Sequence, residues 1–159
     1  MIYIWIVIAA VVTAADQFGK FLISAGFAET DHFTLIPALI DIVYVENRGA
    51  AFSMFDEHTW LLGLVSVLFC IAITAYMLKK KPQNRMLIIC AGLLLGGALG
   101  NGIDRIARGF VVDFIEITLF RFPVFNLADI AITVGAVLLA LHIILAEKGS
   151  KNGKDNSSV

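Results

Sequence analysis

Residues 60–78 read Trp-Leu-Leu-Gly-Leu-Val-Ser-Val-Leu-Phe-Cys-Ile-Ala-Ile-Thr-Ala-Tyr-Met-Leu, 19 positions without a charge. At 1.5 Å per residue this run crosses the apolar part of a bilayer as a helix. Trp60 and Tyr76 stand near its ends, where aromatic rings favour the membrane interface. Lys79-Lys80-Lys81-Pro82-Gln83-Asn84-Arg85 follows at once. Pro82 stops the helix, and four basic residues in seven mark a cytoplasmic loop. Working outward, three more stretches have the same character. Met1 to Ala15 is uncharged and continues through Asp16, Gln17 and Lys20 into Phe21-Leu22-Ile23. Met86 to Ile103 is uncharged, and Leu127 to Ala146 is interrupted only by Asp129 and His142. The composition agrees: 59% of the 159 residues are hydrophobic and 16% charged. A soluble domain carries about 25% charged residues. The expected fold is a membrane all-α bundle of four transmembrane helices, at about 1–23, 60–78, 86–103 and 127–146.

A cleaved signal peptide is the rival reading of the first stretch. It requires a basic residue before the apolar run and a small-residue cleavage site after it. No Lys or Arg precedes the run, and Asp16 and Lys20 fall at its wrong end. Residues 29–57 break the helical pattern with polar, β-branched and aromatic residues. Leu39-Ile40-Asp41-Ile42-Val43-Tyr44-Val45 reads as strand, and Asn47 to Ser53 as a turn leading onward. This insert forms a small extracytoplasmic β-containing layer. Gly109 to Phe125 also has strand character and is too short to span. Residues 1–146 therefore form one integral-membrane domain. The Lys-, Ser-, Asn- and Gly-rich tail 147–159 reads as disordered and cytoplasmic. Lys and Arg number seven in the loop after the second span and the tail, against five in the other two connections. Both termini are expected in the cytoplasm.

That topology gathers polar residues at one end of the bundle. Asp16, Gln17 and Lys20 end the first span, and Asn101, Asp104 and Arg105 the third. Asp113 lies in the following connection, and Asn126 and Asp129 open the fourth span. Each group except Asp113 has an ordinary alternative. Asp16 and Lys20 at i and i+4 make a helix ion pair. Asn101, Asp104 and Arg105 can end a helix and meet headgroups. Asn126 suits an N-cap, with Asp129 three residues on. Asp113, between Val112 and Phe114, gains nothing from packing or propensity, and an acid in apolar sequence costs free energy unless paired, solvated or protonated. His142 reads as a packed or interfacial histidine. Gly92, Gly96 and Gly100 repeat at four-residue spacing, the pattern that lets helices approach closely in lipid.

Net charge is −1 and no basic patch suggests nucleic acid. Cys70 and Cys90 lie in apolar runs without metal or disulfide spacing. No nucleophile-elbow, zincin or phosphate-loop motif is present. Two aspartates remain, 16 residues apart. Acids sharing a small space hold one proton between them, so one can activate water while the other protonates a carbonyl oxygen. Asp129, at the start of a helix, is read as the base and Asp113 as the acid. A transporter with a proton relay and a phosphotransferase holding magnesium on Asp104, Asp113 and Asp129 are alternatives. The first lacks a polar path to His142 and an internal repeat; the second lacks the expected spacing of aspartates.

Five blocks, in order, carry a resemblance: Asp16-Gln17-Phe18-Gly19-Lys20, Asn47-Arg48-Gly49-Ala50-Ala51-Phe52-Ser53, Gly96 to Arg105, Val111-Val112-Asp113-Phe114, and Phe122 to Asp129. With them the chain resembles the bacterial lipoprotein signal peptidases (signal peptidase II, aspartic peptidase family A8) over nearly its whole length. The resemblance implies an aspartic endopeptidase of the bacterial cytoplasmic membrane. It would remove signal peptides from diacylglyceryl-modified prolipoproteins, on the N-terminal side of the lipidated cysteine. It further implies Asp113 and Asp129 as catalytic dyad. Asn47, Arg48, Asn101, Arg105 and Asn126 would bind substrate or hold the dyad, with Asp16, Lys20 and Asp104 in support. No cofactor or metal is implied. The expected partners are prolipoprotein, membrane lipid and the cyclic peptide inhibitor globomycin, acting on a monomer.

Overall fold

The computed structural model describes residues 3–28, 30–49 and 59–155, with side chains through residue 147. Four helices carry the fold: α1 (Ile4–Gly26), α2 (Thr59–Lys80), α3 (Arg85–Ala107) and α4 (Leu127–Asp155). Each contains a stretch long and apolar enough to cross a membrane. Three strands, β1 (His32–Ile36), β2 (Ile40–Asn47) and β3 (Val111–Ile117), form an antiparallel sheet in the order β1-β2-β3. The expected four spans and β layer are therefore both present. The layer also recruits β3 from outside the 29–57 insert. Ala50 to Ser53 of the second sequence block lie outside the described residues.

α3 is the central helix, packed against each of the other three. The glycine repeat explains how. A Cβ on Gly92 would lie 2.7 Å from the Ile8 side chain, and one on Gly96 would lie 2.7 Å from Val12. A Cβ on Gly97 would lie 2.5 Å from the Ala128 carbonyl oxygen of α4. One glycine face thus seats α1 and the next residue seats α4, at separations only glycine permits. Asn84 caps α3 through its Oδ1, which accepts from the Leu87 N–H at 3.1 Å. Outward faces of α1, α2 and α4 expose large apolar side chains throughout, as lipid-facing surfaces do.

At its other end α3 finishes at Arg108, and Gly109, with φ +78°, takes the left-handed conformation that turns the chain into β3. β3 pairs with β2 so that Asn47 lies opposite Val111 and Val45 opposite Asp113. Residues 118–126 then fold back. The Phe125 N–H donates to the Ile115 carbonyl (3.1 Å), and the Phe125 carbonyl accepts from Phe114 and Ile115. This return clamps Asn126, and so the start of α4, beside Asp113.

α4 runs on through Asp155, whereas the sequence reading ended it at Ala146 and made 147–159 disordered. Ala146, Glu147 and Lys148 are good helix formers, and extending a formed helix is far easier than nucleating one. Residues 156–159 lie outside the described residues.

Candidate active site

The polar residues flagged at one end of the bundle meet in one buried network. Thr13, Asp16, Gln17 and Lys20 recur at helical spacing, so α1 turns a polar stripe toward α3. Lys20 is fully buried, and its ammonium donates to Asp16 Oδ2 (2.8 Å), Asp104 Oδ2 (2.8 Å) and Asn101 Oδ1 (2.9 Å). All three of its protons are used. Asp16 pairs at i, i+4 as expected, and it does more. Its Oδ1 accepts the Ala128 N–H at 2.9 Å, satisfying a free amide in the first turn of α4. The Gln17 amide donates to the Gly100 carbonyl (3.0 Å) and Asp104 Oδ1 (3.2 Å), and Thr13 Oγ1 donates to the Gly96 carbonyl (3.0 Å).

Asn101 passes this order to the acids. With its oxygen held by Lys20, its amide nitrogen donates to Asp129 Oδ1 at 2.7 Å. Asn126 and Asp129 form a reciprocal cap: the Asp129 N–H donates to Asn126 Oδ1 (3.0 Å), and the Asn126 N–H to Asp129 Oδ2 (3.2 Å). The Asn126 side-chain amide donates to Asp113 Oδ1 at 2.6 Å and to Asn101 Oδ1 at 3.0 Å. A single residue therefore touches both carboxylates. Asp113 Oδ2 accepts from Asn47 Nδ2 at 2.8 Å. Burial at 2% exposure raises the Asp113 carboxyl to about 6; the Asp129 charge adds to the rise, and the two asparagine hydrogen bonds oppose it.

Arg105 is half-buried, within electrostatic reach of Asp104, Asp113 and Asp129. Its Nε is buried without a hydrogen-bond partner among the described residues. An unsatisfied buried donor beside two acids suits a carbonyl brought by a ligand. Arg48 is the one implied site residue not brought in. Its guanidinium is 65% exposed and pairs with Glu46 at 3.1 Å. β2 ends at Asn47, so the next side chain leaves the face that Asn47 shares with Asp113. Asp104 is committed to Lys20, Gln17 and the Val112 N–H. Among the described residues no three His, Cys, Asp or Glu side chains group as a metal site.

Two carboxylates held together, one raised toward neutrality, can share a proton and polarise a water molecule. Comparisons with known proteins identify the family. Residues 8–145 match the family model for Signal peptidase (SPase) II. The chain belongs to the signal peptidase II family. It is 40% identical over 156 residues to the lipoprotein signal peptidase of Geobacillus kaustophilus, covering 95% of this chain and 100% of that one. It is also 40% identical over 145 residues to that of Symbiobacterium thermophilum, covering 90% and 95%. Two solved bacterial membrane enzymes share its fold. One has TM-score 0.87 and 31% identity, covering 91% of this chain and 90% of that one. The other has TM-score 0.80 and 33% identity, covering 87% and 91%. The chain is thus a membrane peptidase of the signal peptidase II family. Thr13 is a contributor that the sequence reading does not name, and Gln17 is named there only among the polar residues ending the first span; the spacing of Thr13 with Asp16, Gln17 and Lys20 is the available signal.

Proposed function

We propose that this peptidase removes the signal peptide from diacylglyceryl-modified prolipoproteins, cutting on the N-terminal side of the lipidated cysteine. The observation that carries the reading is the Asn126 bridge, which ties Asp113 and Asp129 into one unit. In the reaction Asp129 takes a proton from water as its oxygen adds to the scissile carbonyl carbon. Asp113 gives its proton to the carbonyl oxygen. The tetrahedral adduct then collapses: the C–N bond breaks, and the proton held by Asp129 passes to the departing cysteine nitrogen. Asp113 recovers its proton from the adduct, and no covalent enzyme intermediate forms. Arg105, with its free Nε, is suited to hold a substrate carbonyl.

The lysine-rich α2–α3 connection and the carboxylates lie at opposite ends of α3. By the positive-inside rule this supports cytoplasmic termini and a site near the extracytoplasmic face. Exposed Leu119, Phe120 and Phe122 precede Asn126 and give the site an apolar margin. That suits a substrate whose acyl chains stay in the bilayer while its scissile bond stands at the boundary. The same reading makes globomycin an inhibitor and a monomer sufficient.

The test uses purified protein in detergent with a lipid-modified precursor. The parent should cleave it with or without EDTA and leave the unlipidated precursor intact. Asp113→Asn and Asp129→Asn should each lose roughly 10²–10⁴-fold while retaining a cooperative unfolding transition. Loss of cleavage on chelation, or equal cleavage of both precursors, would overturn it.

A further inference from the structure

Away from the carboxylates, α2 and α4 both lie against α3, and a groove of about 740 Å³ opens between them. Phe69 and Ile73 of α2 and Leu139 and Ile143 of α4 wall it, and Cys90 and Leu94 of α3 floor it. The floor is deep: Cys90 is 1% exposed. Cys90 precedes Asn101 by 11 residues, about 16 Å along α3. The groove is therefore separate from the acids. Of its polar lining groups, Tyr76 and Glu147 lie toward one end, and His142 stands midway along the α4 wall.

That end opens where α2 finishes and α3 begins. Lys79 and Lys80 form the last turn of α2, Lys81 follows, and Arg85 starts α3; all four are exposed. Lys80 is four residues past Tyr76, and Arg85 two before Leu87, which also lines the groove. The cations thus lie within about one helical turn of the lining residues at that end, with Glu147 the single acid among the lining residues. An occupant must be apolar along its body and anionic at its end. A signal-peptide helix fails this requirement, because its basic n-region would meet four like charges.

We propose that the groove holds an acyl chain of an anionic glycerophospholipid, its phosphate on Lys79, Lys80 and Arg85. The volume lies in the range of small-molecule sites. Tyr76 and His142 stand where the glycerol and ester oxygens would lie and can donate to them. Basic side chains near a bilayer surface attract anionic lipid, and three together give roughly a tenfold preference or more over a zwitterionic lipid.

Native mass spectrometry of the full chain, in micelles with equimolar phosphatidylglycerol and phosphatidylcholine of matched chains, tests this. The parent should retain one phosphatidylglycerol in roughly tenfold preference. Ala72→Trp and Leu139→Trp, made separately, fill the groove and should abolish retention of both lipids. The triple variant Lys79→Gln, Lys80→Gln, Arg85→Gln should keep a lipid with the preference reduced to near parity. Thermal unfolding identifies any variant that fails to fold, and the remaining variants then decide. Equal retention of the two lipids by the parent, or undiminished retention in a folded groove-filling variant, would overturn the proposal. So would displacement of the bound lipid by a synthetic signal peptide with a basic N-terminus.

Discussion

Replacing Lys20 by Met removes the ammonium that Asp16, Asp104 and Asn101 share. Lys20, Asp16 and Asp104 are each fully buried, so no solvent screening softens the loss. Removing one partner of a buried ion pair costs about 3–5 kcal/mol, because the remaining charge is left uncompensated. At roughly 2–4 °C per kcal/mol for a chain this size, Tm should fall by about 6–20 °C. Activity should fall as well, through Asn101. Its oxygen is held by Lys20 at 2.9 Å, and this orientation aims its nitrogen at Asp129. Without Lys20 the Asn101 oxygen keeps only the Asn126 donor at 3.0 Å, and a loss of about 10–100-fold is the scale for removing an orienting partner. The assay pairs thermal unfolding in detergent with cleavage of a lipid-modified precursor. Adding Asp104→Asn to Lys20→Met should return part of the lost stability, with a coupling of about 1–3 kcal/mol. A Tm within about 2 °C of the parent, or strictly additive losses in the double variant, would refute the shared-ammonium account.

Other outcomes follow from the same geometry. Asp113 has its folded-state value raised to about 6 from 3.8, so the fold carries a cost of about 3 kcal/mol above pH 6 that vanishes below pH 4. Asp113→Asn removes that cost but turns an amide toward one of two donor groups. Its stability should exceed the parent's by roughly 1–2 kcal/mol near pH 8, with the gain gone at pH 4 in a pH series of unfolding curves. The kcat/KM profile should show two carboxylate limbs belonging to the pair, the upper one starting near pH 6; a single limb argues against a shared proton. Gly97→Ala puts a Cβ against the α4 backbone at Ala128, next to Asp129, and Gly92→Ala puts one against Ile8, far from the acids. Both should lose about 1–3 kcal/mol in unfolding assays, and Gly97→Ala should lose far more cleavage activity.

Much of this arrangement is legible in the chain because lipid imposes simple rules. Uncharged runs of helical length give the four spans, and the glycine spacing in α3 anticipates its central position. Asp113 stands out because nothing local accounts for it. The pairing of β3 with β2 is not legible in the same way. It joins residues more than 60 positions apart, and its register rests on cross-strand contacts that no local pattern encodes. Arg48 adjoins Asn47 in sequence yet is exposed beside Glu46, since successive residues of an extended chain face opposite ways. The ordinary readings of two other groups are also correct as far as they go. Asp16 and Lys20 are an i, i+4 pair, and Asn126 and Asp129 are a cap. The site arises where these local devices share atoms: Lys20 with Asp104, Asp16 with α4, and Asn126 with Asp113.

The most direct measurement compares Asp113→Asn, Asp129→Asn and the double variant for cleavage rate on one lipid-modified precursor. Two acids acting as a unit on one water molecule lose nearly everything when either is neutralised. The double variant should therefore be no slower than the worse single variant. Multiplicative losses, or a single variant within about tenfold of the parent rate, would show that the two carboxylates work separately.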